Sequence, residues 1–128
     1  MHTAAAVVFL LVLAGLVAFQ VALAAGRPWG RLAWGGQHEG VLPGRMRVAS
    51  AFSVLVYALL GLVVADRAGL VDVLPDAFSR LGTWVVAGYL ALGVLMNLAS
   101  RSRAERAVMT PTAAVLCAAA VVVALAAG

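Results

Sequence analysis

Four long apolar runs, residues 4–25, 48–65, 81–99 and 111–127, carry no charged side chain at all. An α-helix rises about 1.5 Å per residue, so runs of about 20 residues match a hydrocarbon core about 30 Å thick. Backbone N–H and C=O groups inside lipid find no water, so each run must satisfy them as a helix. The predicted fold class is therefore an all-α membrane protein, a four-transmembrane-helix up-down-up-down bundle formed by residues 1–128 as one domain. Short connections favour sequential helices as antiparallel neighbours, and left-handed crossing near +20° is the commonest packing in lipid.

Composition agrees, because the chain is 65% apolar and 11% charged, whereas a soluble domain carries about 25% charged residues. The isoelectric point of 10.7 would suggest nucleic acid in a soluble protein. Here the net charge is only +4, and every basic residue is an arginine outside the apolar runs. The expected partners are the bilayer and its anionic headgroups, with no nucleic acid. Ala22-Leu23-Ala24 resembles a signal-peptidase site, but Met1-His2-Thr3 supplies no basic leader and the run is long, so span 1 is expected to be retained.

Arginine placement gives an orientation. Loop 26–47 holds Arg27, Arg31, Arg45 and Arg47 against Glu39, and loop 100–110 holds Arg101, Arg103 and Arg106 against Glu105. Loop 66–80 holds Arg67 and Arg80 against Asp66, Asp72 and Asp76. The positive-inside rule places the two arginine-rich loops in the cytoplasm. Both termini and the acidic loop then lie outside, in a multi-pass protein of a bacterial inner (plasma) membrane.

Loop 26–47 is the most unusual stretch, with six glycines, two prolines, Trp29 and Trp34. It is expected to lie at the interface, with Arg27, Trp29, Arg31, Trp34, Arg45 and Arg47 on lipid headgroups. A second reading makes it a gate or headgroup-binding loop built on Gln37, His38 and Glu39. In loop 100–110, Ser102-Arg103-Ala104-Glu105 spells a capping box. The helix it starts is expected to continue through Pro111 with a kink, fanning Arg101, Arg103 and Arg106 toward phosphates. At the other end, Asp76 or Ser79 is placed to cap span 3.

Polar side chains inside lipid need partners and turn toward protein. Ser53, Tyr57 and Gly61 fall at i, i+4, i+8, as do Tyr89, Gly93 and Asn97, so each set shares a helix face. Gln20, Ser53, Tyr57, Tyr89 and Asn97 are the candidate intramembrane pocket, with interhelical hydrogen bonding as the competing role. Small residues form two more stripes, Ala14-Ala18-Ala22 and Ala113-Cys117-Ala120-Ala124. No span holds an ionisable Asp, Glu, Lys, Arg or His, which argues against a buried proton-pump carboxylate and a metal site.

Ala25-Gly26-Arg27-Pro28-Trp29-Gly30 after span 1, Leu42-Pro43 before span 2, and Thr110-Pro111 with Cys117 in span 4 complete the pattern. In these the chain resembles small four-helix bacterial integral membrane proteins that carry only domain-of-unknown-function labels. The resemblance implies the four-helix membrane fold and lends no activity. His38-Glu39 lacks the second histidine of a zinc-binding HExxH helix, and neither paired carboxylates nor an activated nucleophile is present, so no enzyme, cofactor or metal is expected. Two functions remain: a binding or transport module for a small molecule, lipid or ion, and a non-catalytic accessory subunit of a larger membrane complex or homo-oligomer. The accessory reading requires the small-residue stripes of spans 1 and 4 to face outward.

Overall fold

The structure, a computed structural model, describes residues 2–126. Those residues form four helices, α1 (His2–Ala24), α2 (Gly44–Arg67), α3 (Asp76–Leu98) and α4 (Arg103–Ala126), with 3-10 turns at Gly30–Leu32 and Trp34–Gly36. Helices of 23 or 24 residues extend about 35 Å, and all four are long and apolar enough to cross a membrane. Leu11, Val48, Leu55, Leu81 and Leu125 each leave about two thirds of their surface exposed. Apolar surface on this scale, on every helix, suits lipid and not water.

The helix ends show how sequence closes each element. Gly26, at φ +100°, takes a left-handed conformation that favours glycine. There Arg27 N–H donates to Ala22 O at 2.9 Å and Gly26 N–H to Leu23 O at 3.1 Å, the double bond of a Schellman motif. The free carbonyl of Ala24 accepts Arg47 Nε at 3.0 Å, which ties the end of α1 to the start of α2. At the far end of α2, Asp66 Oδ2 accepts the backbone N–H groups of Val73 and Leu74, each at 2.8 Å. One carboxylate thus pins the connection to α3.

Two end assignments differ from the sequence reading. The N-cap of α3 is Pro75, without a side-chain cap; Asp76 lies in the first turn and Ser79 Oγ donates back to Asp76 O at 3.2 Å. Ser79 is almost fully buried, so its hydroxyl satisfies itself on its own helix instead of reaching the free N–H groups. Only half of the capping box forms: Ser102 Oγ accepts Glu105 N–H at 3.2 Å, but Ser102 N–H is taken by Ser100 Oγ at 3.1 Å. The Glu105 side chain is left free of its return bond. Helix α4 does run unbroken through Pro111.

The helices close a ring in which α1 packs on α2 and α4, and α3 packs most extensively on α4. Small residues set the close approaches. A Cβ on Gly61 would stand 3.0 Å from Leu13 Cδ2, and one on Gly82 would stand 3.1 Å from Val63 Cγ1. The main core gathers Phe9 and Leu13, Leu60, Val63 and Val64, Val86, Ala87 and Leu90, and Leu116, Ala120 and Val123. It therefore fills the half of the bundle holding the start of α1 and the end of α4. A separate small cluster of Leu23, Ala33 and Leu42, flanked by Phe19 and Met46, seats loop 26–47 against the other half.

Candidate functional site

That other half encloses a cavity of about 570 Å³, within the range of small-molecule pockets, about 300–1,000 Å³. All four helices and both 3-10 turns line it. Helix α1 contributes Gln20, α2 contributes Ser53 and Tyr57, and α3 contributes Tyr89, Gly93 and Asn97. The five polar residues singled out from spacing thus meet in one space. Gln37 joins them from the loop, whereas His38 and Glu39 lie outside the lining. Their carbonyls sit at the loop's neck, where Gly30 N–H donates to Gly40 O at 2.9 Å and Arg31 N–H to Glu39 O at 3.3 Å.

Loop 26–47 roofs the cavity. Trp34 holds φ +53°, a conformation that costs a non-glycine residue about 1–2 kcal/mol, and its Nε1 donates to the fully buried Ser50 Oγ at 3.0 Å. The next two residues, Gly35 and Gly36, continue at positive φ. A Cβ on Gly36 would stand 2.5 Å from Ser102 Cβ, so only glycine lets the roof touch the α3–α4 turn. Trp34, expected at the headgroups, forms a wall of the cavity and keeps about a third of its surface exposed. The other interfacial residues divide. Arg27 lies over the Trp29 ring at 5.3 Å and Trp29 stacks on Phe19 at 6.4 Å, with both side chains exposed. Arg31, Arg45, Arg101 and Arg103 are exposed as well. Arg47 is engaged by Ala24 O, and Arg106 Nη1 donates to Ser100 O at 2.6 Å.

The polar chemistry of the walls is lopsided. Gln20 is 8% exposed and meets the Tyr57 hydroxyl, yet its Oε1 has no hydrogen-bond partner. An unpaired buried acceptor costs about 1–3 kcal/mol. Glu105 lines the cavity at 5% exposure, and no hydrogen bond or ion pair reaches its carboxylate among the described residues. Three of the wall donors are occupied. Asn97 Nδ2 donates to Met109 O at 3.5 Å, Ser53 Oγ to Ala49 O at 3.0 Å, and Thr112 Oγ1 to Val108 O at 2.6 Å. Among the described residues no three His, Cys, Asp or Glu side chains gather as metal ligands.

Glu105 is the residue that sequence reasoning missed, because the capping-box pattern offered it a complete structural role. A signal was present: Glu105, Met109, Thr112 and Leu116 repeat at helical spacing, and all four line the cavity. Extending the face of span 4 upstream past Pro111 would have found it.

The cavity opens along α3, where its lining residues Met96, Leu92 and Tyr89 are 66%, 55% and 49% exposed. The small-residue stripes separate: Ala113, Ala120 and Ala124 of α4 are buried, with Cys117 Sγ donating to Ala87 O at 3.5 Å. Ala14 and Ala18 of α1 are exposed. Comparison with protein-family models, curated proteins and solved structures finds no match.

Proposed function

We propose that this multi-pass membrane protein is a binding or transport module whose cavity takes a small amphipathic molecule entering from the side of α3. Its helices are assigned as up-down-up-down, with loops 26–47 and 100–110 on the cytoplasmic face of a plasma membrane and both termini outside. The convergence of Gln20, Ser53, Tyr57, Tyr89 and Asn97 on one cavity carries the binding reading. If these groups served only to hold the helices together, they would bond one another across closed contacts. Asn97 does reach Met109 O and Gln20 does meet Tyr57 across helices, yet Gln20 keeps an unpaired oxygen and Ser53 bonds only within its own helix, around an open space. The accessory-subunit reading loses support on α4, whose small-residue stripe faces inward; the exposed Ala14 and Ala18 on α1 are what favours it.

Gly93 supplies the test. It lines the cavity, and a Cβ added there meets no atom within 4 Å. Gly93→Phe is expected to fill the space while improving helix propensity. Binding of the neutral fluorescent probe N-phenyl-1-naphthylamine to the purified protein in lipid nanodiscs is expected to be saturable and lost in Gly93→Phe, with the helical circular dichroism retained. Equal probe uptake by both proteins would contradict the reading.

A further inference from the structure

We infer that the ligand of this cavity is an organic cation, an ammonium or guanidinium group borne on an apolar body. The assignment rests on the cavity being a binding site and adds its charge. The lining holds one acidic residue, Glu105, and no arginine, lysine or histidine. Glu105 is more than nine-tenths buried, and no partner reaches its carboxylate among the described residues. Ser102, which a capping box would pair with it, gives its N–H to Ser100 Oγ instead. Independently, Gln20 Oε1 is a buried acceptor without a donor.

The remaining polar groups point to the same charge. The Trp34, Asn97, Ser53 and Thr112 donors are engaged within the protein, which leaves the walls neutral donors such as the Tyr89 hydroxyl and the Gln37 amide, and no cationic one. An anion would find no cationic side chain in this lining; a ligand bearing N–H donors or positive charge satisfies the acceptors that the fold leaves open. Four aromatic rings, Phe19, Trp34, Tyr57 and Tyr89, line the same space, and their faces attract cations. The rest of the lining is largely aliphatic or methionine, with Met46, Met96 and Met109 among it, which suits an apolar body better than a hydrated metal ion.

Tetraphenylphosphonium and tetraphenylborate have nearly the same shape and opposite charge, so they isolate the sign. The full-length protein in nanodiscs of zwitterionic lipid is titrated with each, alongside N-phenyl-1-naphthylamine. The expected result is that the cation displaces the neutral probe at least about tenfold more effectively than the anion, and that Glu105→Gln collapses this ratio. Should Glu105→Gln not fold, carbodiimide labelling of Glu105 in the wild-type protein, read by mass spectrometry, is expected to be slowed by the cation and not by the anion. Equal displacement by both ions, preference for the anion, no displacement by the cation, a ratio that survives Glu105→Gln, or labelling indifferent to the cation would each overturn the inference. In all these cases saturable uptake of the neutral probe leaves the cavity a binding site, whereas its absence removes both.

Discussion

The two halves of this bundle are made from the same four helices and treat polar groups in opposite ways. In the half that holds Phe9, Val64, Val86 and Val123, the buried side chains of Thr83, Ser79 and Asp66 are closed off. Thr83 Oγ1 donates to Ser79 O at 2.7 Å, Ser79 to Asp76 O, and Asp66 accepts two backbone N–H groups. In the other half Gln20 Oε1 and Thr110 Oγ1 are buried without partners, and Glu105 faces open space. Lipid lends no hydrophobic force between helices, so stability comes from close packing and satisfied hydrogen bonds. The packed half supplies both and holds the fold. The hollow half gives up some of each, which fits the binding role proposed for it.

Breaking the comparison starts with the packed half. Phe9 is fully buried in the main core, and Phe9→Ala is expected to destabilise the protein by about 3 kcal/mol through lost contacts and the void left behind. Tyr89, half exposed at the cavity mouth, is expected to cost less than about 1 kcal/mol on the same truncation. Reversible unfolding in mixed micelles compares the two; equal losses would mean that both halves bear the fold alike.

A smaller effect is expected where the roof meets the α3–α4 turn. Gly36→Ala places a Cβ against Ser102 at a residue with φ +72°, with an expected cost of about 1–2 kcal/mol from the left-handed conformation. The loss is local, so faster hydrogen exchange is expected across residues 30–40 with the helix cores unchanged. Slowed or unchanged exchange in that segment would show that the roof does not depend on this contact.

How much of this was legible depends on which interactions are periodic. The four helices follow from uninterrupted apolar runs, and the shared polar faces follow from Ser53 and Tyr57 four residues apart and Tyr89, Gly93 and Asn97 at successive four-residue steps. Helical periodicity places such residues on one face whatever the neighbours do. What periodicity cannot give is the choice between two partners for one group. Ser102-x-x-Glu105 reads as a reciprocal cap until Ser100, two residues upstream, takes the Ser102 N–H. Nor does a composition rule tell that Trp34, in a glycine-rich loop near Trp29, bonds Ser50 and walls the cavity while Trp29 stacks on Phe19. The direction of the α4 stripe was equally open, because small residues pack as well inside a bundle as between bundles.

The division into a packed and a hollow half is tested most directly by cysteine accessibility in a Cys117→Ala background. Gly93→Cys puts a thiol in the cavity, and Ala120→Cys puts one in the main core, where Ala120 is fully buried. A small, membrane-permeant maleimide is expected to label the first rapidly and to leave the second unmodified until the protein is unfolded. Protection of both positions, or equal labelling of both, would contradict the account.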